Sequence, residues 1–162
     1  MGTIVFHGAT EVVEHPICSF GRLRLDFGRG FYITDIREQA ERWAIRQSLD
    51  RGKPGLVNVY RLDKEACLRE GRCKIFTAYD NEWLEFIVRC RKGYDPAVDY
   101  DYIEGGIAND RVIDSINLYL QGFYSKEDTL RRLSYHEPNN QICLLNQTLT
   151  DKYLHYDHTE QC

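Results

Sequence analysis

Two stretches of the chain carry residue types suited to holding a flat, polar ligand. His7-Gly8 sets an imidazole beside a residue without a side chain, and residues 26–34 read Asp-Phe-Gly-Arg-Gly-Phe-Tyr-Ile-Thr. Two glycines one residue apart suit a backbone that bends sharply or lets another group come close. Behind them, Phe31-Tyr32-Ile33-Thr34 is aromatic and β-branched, the composition of a strand. A glycine-bent loop feeding an aromatic strand makes a floor for a planar ring. Arg22, Arg24, Arg29, Arg37, Arg42 and Arg46 flank this segment, which suits a small anionic ligand better than a long nucleic acid. Glu38 and Glu41 among them partly neutralise that charge.

The elements that must position these residues follow from hydrophobic period and punctuation. A first strand is expected at residues 3–7 and a second at 31–34. Asp35 with Glu38 forms a capping-box pattern, and the helix it opens is expected to reach about Leu49, with Ile36, Ala40, Trp43, Ala44 and Gln47 at helical spacing. Residues 56–62 alternate as a strand. A short helical turn is expected at 63–68, a strand at 73–76, a helix at 81–91 with Trp83 and Phe86 in the core, and a strand at 100–104. Asp110 is expected to cap a helix that stops at Gly122, and Ser125 with Asp128 to open another. Residues 141–145 read as a late apolar strand. Strands and helices interspersed without β-α-β phosphate loops favour an α+β fold over a doubly wound sheet.

Composition narrows the classes. The 162 residues are expected to form one domain, 1–162, large enough to bury a core unaided, and 43% hydrophobic residues are typical of a folded globule. A net charge of −4 gives no general attraction for phosphate backbones. No apolar run approaches the ~18 residues of a membrane span, and the start lacks a signal-peptide pattern, so a soluble cytoplasmic protein with no membrane partner is expected. Cys18, Cys67, Cys73, Cys90, Cys143 and Cys162 are scattered without C-x-x-C pairs, which argues against both zinc and a disulfide framework. Cys90 and Cys143 read as buried thiols. His155, His158 and Cys162 read as part of a solvated tail rather than a metal site.

Taken together, His7-Gly8, the Gly28-Arg29-Gly30-Phe31-Tyr32 segment, the helix with Trp43, and Asn140-Gln141-Ile142-Cys143-Leu144 resemble the ADP-ribosyltransferase superfamily. The resemblance is to its His-Tyr-Glu branch, which includes the poly-ADP-ribose polymerases and diphtheria-like toxins. It is closer still to a domain-of-unknown-function family of small bacterial proteins grouped there. That family's patterns look like those here: Asp-Phe-Gly-x-Gly-Phe-Tyr, Gln-Ala-x-x-Trp-Ala, Glu-Trp-Leu-x-Phe, Gly-x-x-Ala-Asn-Asp and Asn-Gln-Ile-Cys, in that order.

The resemblance implies an ADP-ribosyltransferase-like split β-sheet core with flanking helices, and NAD as co-substrate with no metal. His7 matches the histidine that bonds an NAD ribose hydroxyl, and Gly8 the residue whose backbone holds the nicotinamide carboxamide. Tyr32 matches the second-motif tyrosine at the nicotinamide end, with Gly30 in the bend before it. Trp43 falls where the polymerases stack a second aromatic, and Ala40 where they keep a hydroxyl. Arg22 or Arg24 would neutralise the pyrophosphate. Gln141 opens the third-motif strand, where transferring enzymes usually carry a glutamate that offsets charge at the anomeric carbon. An amide there cannot serve as a base, and Asp110 and Glu104 are candidates for a borrowed carboxylate. The implied activity is mono-ADP-ribosyl transfer to a macromolecule, protein or nucleic acid, by a toxin of a toxin–antitoxin pair or phage-defence system, with a small antitoxin as partner. An NAD glycohydrolase, or a non-catalytic module binding NAD, ADP-ribose or a protein, is the alternative. On residues alone, His7 is an ordinary strand-end histidine, Trp43 a core aromatic and Asp110 a helix cap.

Overall fold

A computed structural model describes residues 2–22, 25–108, 110–133 and 139–162, with the side chain of Asp110 outside that description. Along the chain run β1 (Thr3–Ala9), β2 (Phe31–Ile33), α1 (Arg37–Arg51), β3 (Leu56–Leu62), α2 (Lys64–Glu70), β4 (Cys73–Ile75), α3 (Asn81–Arg91), β5 (Tyr102–Gly105), α4 (Asp110–Leu120), α5 (Lys126–Leu133), β6 (Gln141–Leu144), α6 (Gln147–Tyr153) and β7 (Leu154–Gln161). The result is a mixed α/β molecule with two sheets. One has three strands in the order β1-β3-β7, all antiparallel; the other has four in the order β2-β6-β5-β4, with only β4 and β5 parallel.

Period-two alternation sorts the side chains into layers. Val5 of β1, Tyr60 and Leu62 of β3, Phe31 and Ile33 of β2, and Ile142 and Leu144 of β6 form one cluster between the sheets. The opposite face of β1 and β3 carries Phe6, Val57 and Val59, which meet Ala40 of α1. The opposite face of the four-stranded sheet carries Tyr32, Ile103 and Cys143, covered by α3 through Trp83, Leu84 and Ile87, by α4 through Val112 and Ile116, and by α5 through Leu133. Trp83 is fully buried, and its indole N–H donates to the Gly106 carbonyl at 3.1 Å, so the polar end of the ring is not left unpaired.

Besides the apolar cluster between them, the sheets are joined through the backbone of β1 and the residue after β2. Phe6 and Thr34 form an isolated bridge with both backbone bonds made, at 2.8 and 3.0 Å. Edge strands β1 and β2 therefore meet at a point rather than along a ladder, and His7 and Tyr32 lie together on one side of it.

Two expectations are corrected. The capping box at Asp35 and Glu38 does not form. Thr34 sits in the bridge, and its Oγ1 takes the Ile36 amide at 3.1 Å, while Asp35 Oδ1 accepts from the Asn140 side-chain Nδ2 at 3.3 Å, and α1 starts at Arg37 without a side-chain cap on Ile36. The residues read as a solvated tail form β7, which pairs with β3 from Leu56 to Leu62. Its sequence is polar enough to hide a strand, but β3 offers an open edge whose amides and carbonyls need partners. Tyr156 packs on Tyr60 at 5.9 Å, and His158 lies between Asp157 and Glu160. Among the described residues no helix is long and apolar enough to cross a membrane, and no group of three or more His, Cys, Asp or Glu side chains is placed to hold a metal. All six cysteines are free; Cys90 and Cys143 are buried, as their apolar surroundings predict.

Candidate functional site

His7 is the link between the sheets. Its Nδ1 lies 2.7 Å from the Tyr32 carbonyl oxygen, and because a carbonyl only accepts, Nδ1 carries the hydrogen. The ring leans on Phe31, with centroids 4.4 Å apart. Burial lowers the His7 pKa below its usual value, against the opposing effect of the Tyr32 bond. The imidazole is therefore neutral at pH 7, with Nε2 bearing a lone pair: an acceptor for a hydroxyl.

Gly8 is a glycine because α1 lies directly on it. A Cβ there would stand 2.0 Å from the Ala40 carbonyl oxygen and 2.8 Å from the Ala44 nitrogen. Its own carbonyl accepts the Gln47 side-chain amide at 3.2 Å. Trp43 leaves α1 beside this Ala40–Ala44 stripe. The indole is half-buried and, among the described residues, belongs to none of the three apolar clusters.

Tyr32 points to the other face of β2. Its hydroxyl donates to the Gly28 carbonyl at 2.5 Å and accepts the Phe27 amide at 3.0 Å, so the phenol anchors the turn that precedes the strand. Burial, with Cys143 and Asp26 nearby, raises its pKa well above the usual range, and the group stays protonated. Gly30 lets this loop lie on β6: a Cβ there would meet Cys143 Sγ at 2.4 Å and the Leu144 carbonyl oxygen at 2.7 Å.

Gln141 begins β6 on the same face as Tyr32 and is only 3% exposed. Its Nε2 donates to Asp26 Oδ2 at 3.2 Å. Asp26, 7% exposed, also receives the Arg91 guanidinium, through Nε at 3.1 Å and Nη2 at 2.5 Å, and the Ala108 amide at 3.1 Å. A buried carboxylate held by a guanidinium and two further donors is an acceptor with its lone pairs taken. Sequence reasoning misses Asp26 and Arg91. Asp26 is visible as the first residue of the Asp-Phe-Gly-x-Gly pattern; Arg91 falls at helical spacing from the buried Leu84 and Ile87, but a cation in the last turn of a helix is ordinary on local grounds. Gln39 is also missed. It is buried in α1, donates to the Asn140 carbonyl at 2.5 Å and accepts the Asn140 amide at 3.3 Å.

The backbone of His7, Tyr32 and the start of β6 meets where β1 joins β2, but the side chains diverge. His7 lies against Phe31 between the sheets, Tyr32 and Gln141 leave the opposite face of the four-stranded sheet, and among the described residues no contact joins Trp43 to any of them. Glu104 lies next to the start of β6, in β5, but faces the opposite side of the sheet from Gln141. It accepts from the Tyr102 hydroxyl at 2.6 Å, Lys64 at 2.9 Å and Asn140 at 3.0 Å. Burial pushes its pKa up, yet these three bonds outweigh burial and hold the carboxyl below its usual value. Asp110 is the first residue of α4 rather than its cap, and its side chain lies outside the described structure, as does Arg24 altogether. Arg22 is exposed. A cavity of about 280 Å³ opens immediately before Gln141, lined by Phe76, Tyr79, Gly106, Asn139 and Asn140 among others. A larger open groove of about 1240 Å³ passes Cys18, Arg29, Asp101, Thr150 and His155, and neither cavity is lined by His7, Tyr32, Trp43 or Gln141. The smaller one comes near Gln141 through its chain neighbour Asn140.

These features define a mixed α/β protein whose two sheets are joined by the Phe6–Thr34 bridge and a neutral histidine beside it, with a locked tyrosine and a carboxylate-bound glutamine on the far face of β2 and β6. The chain belongs to the family described as protein of unknown function (DUF3990), whose model matches residues 3–156. No curated protein and no solved structure matches it.

Proposed function

We propose that this protein binds NAD in the split between β1 and β2 and transfers its ADP-ribose to a macromolecular acceptor, as the ADP-ribosyltransferase resemblance of its motifs implies. The observation that carries the reading is the 2.7 Å bond from His7 Nδ1 to the Tyr32 carbonyl. It fixes the imidazole as a neutral acceptor, which suits a ribose hydroxyl, and ties the histidine of the first motif to the strand of the second. Gln141 Oε1 would accept from the ribose next to the bond that breaks.

In the reaction the N-glycosidic bond breaks, nicotinamide leaves with the bonding pair, and an acceptor nucleophile bonds the anomeric carbon and gives up a proton. The transition state has oxocarbenium character. Positioning and exclusion of water are what this chain's residues supply. Gln141 cannot take the proton, so the acceptor is an already good nucleophile or brings its own base. In the cell the proposed role is a toxin held by a small antitoxin, or a phage-defence enzyme.

A second reading is favoured by a specific observation: Gln141 is uncharged, and the carboxylate beside it is fully engaged by Arg91 and Ala108. On that reading the protein is an NAD glycohydrolase or a non-catalytic NAD-binding module. Incubating purified protein with labelled NAD and cell lysate separates these. Label on a macromolecule supports the transferase. Free ADP-ribose alone identifies the hydrolase, and NAD binding with neither product the module. No NAD binding at all overturns all three.

A further inference from the structure

The Asp26–Gln141 contact explains why position 141 carries an amide. Asp26 is paired with Arg91 and so presents only acceptors to its surroundings. The group that faces it at 3.2 Å must donate, which a glutamine does and a glutamate carboxylate does not. The same contact fixes the amide's orientation. With Nε2 turned to Asp26, Oε1 occupies the other arm of the planar group and accepts from none of the described residues. Among those residues no fully buried side-chain oxygen or nitrogen lacks a partner, so Oε1 borders accessible space.

We infer that Asp26 is a positioning residue: anchored by Arg91 and the Ala108 amide, it requires an amide at residue 141 and aims Oε1 outward as the acceptor for a ligand hydroxyl. The ligand part of this statement rests on the NAD reading above; the pairing does not. Asp26 itself does not take a proton from substrate, because its oxygens are occupied by three donor groups. A glutamate at position 141 would set two carboxylates face to face in a site that is nearly closed to water. Asp26→Asn would relieve that clash, since the asparagine amide can donate to the introduced carboxylate.

The test is a double-mutant cycle of Asp26→Asn and Gln141→Glu, read by thermal unfolding from pH 4 to pH 8 and by NAD affinity and turnover. In Gln141→Glu the new carboxyl is expected to have a folded pKa above the ~4.3 of the unfolded chain, because burial and Asp26 both disfavour its charge. Stability of Gln141→Glu should match wild type near pH 4 and fall as pH rises. In a chain of this size the melting point should drop by roughly 3 °C for each pH unit separating the folded and unfolded pKa. In the Asp26→Asn background most of that pH dependence should disappear. Turnover should fall about tenfold or more in Gln141→Glu and recover in the double variant. A purely structural Asp26 would give no such rescue. If Gln141→Glu follows wild type across the pH range, or the double variant is no better than the single, the inference is wrong. If Asp26→Asn alone does not fold, the pH profile of Gln141→Glu still decides. If the pH cycle holds but wild type binds no NAD, the pairing stands and the NAD reading fails.

Discussion

Replacing His7 separates its role in the fold from its role toward a ligand. His7→Ala removes the 2.7 Å bond to Tyr32 and the ring contact with Phe31. A net hydrogen bond contributes ~1 kcal/mol, and a carbonyl left short of a partner costs ~1–3 kcal/mol more. The total, about 2–4 kcal/mol, corresponds to a melting point lower by roughly 5–12 °C. His7→Asn behaves differently. The asparagine amide nitrogen occupies nearly the Nδ1 position and can still donate to the Tyr32 carbonyl, so most of this stability should remain, while the Nε2 acceptor is gone. On the NAD reading, affinity for the dinucleotide should then fall by about 2- to 12-fold, the equivalent of one neutral hydrogen bond. A pH arm adds an independent check. A histidine with a lowered folded pKa leaves stability unchanged above ~6.5, where neither state is protonated. Stability is then lost as pH falls from ~6.5 toward the folded value, because the unfolded chain takes up the proton first. Wild type should show that loss between pH 7 and 5, and His7→Asn should lack it. Denaturation curves at several pH values with NAD titration by calorimetry make up the assay. The reasoning fails if His7→Asn is as unstable as His7→Ala, or if both slopes with pH coincide.

Arg91→Leu should destabilise strongly, by about 3 kcal/mol or more, because it strands the buried Asp26 carboxylate; Arg91→Lys should cost less, and urea unfolding at pH 7 would rank them. Gly8→Ala drives a methyl into the Ala40 carbonyl, so α1 must move; a loss of about 1–3 kcal/mol is expected, visible as a lower melting point and as faster hydrogen exchange in α1. Deleting residues 154–162 removes β7 and bares the edge of β3, so the truncated chain should form oligomers or aggregate, as light scattering would detect.

What the sequence reveals and what it hides follow one rule. Segments whose pattern is set by their own burial are legible: β3 at 56–62 and α3 at 81–91 have the bounds their spacing predicts, although β3 is buried on both faces from Val57 to Tyr60. Segments whose structure depends on a distant partner are not. β7 is polar and acquires its ladder from β3, whose paired positions lie 92–105 residues earlier, from Leu62 with Leu154 to Leu56 with Gln161. The capping box fails for the same reason, since Asn140 claims Asp35 across 105 residues. At the site, His7, Gly8, Gly30, Tyr32 and Gln141 stand out through their motifs. The reason for the glycines, close approach of α1 and β6, requires the packed structure. The partners of Gln141 are invisible because Arg91 sits in the last turn of a helix, where a cation is ordinary on local grounds.

Residues of two motifs have a common use that their spacing does not disclose. Gln39 opens Gln-Ala-x-x-Trp-Ala and clamps both the amide and the carbonyl of Asn140. Thr34, ending the glycine-aromatic segment, gives its hydroxyl to the same carbonyl at 2.7 Å. Asp26 opens Asp-Phe-Gly-x-Gly-Phe-Tyr and takes the Gln141 amide. The start of β6 is thus held from α1, from the end of β2 and from the loop before β2, by contacts that on ordinary values contribute ~1 kcal/mol each. Three independent anchors on two consecutive residues are more than a short strand needs for pairing, which Leu144 and Cys143 already secure with β2 and β5. They do what a site requires: they fix where one amide oxygen points. Loosening any one of them, Gln39→Ala for instance, should therefore leave the sheet intact by circular dichroism while weakening whatever binds at Gln141, and an unchanged affinity for NAD in that variant would mean that the anchors serve the fold alone.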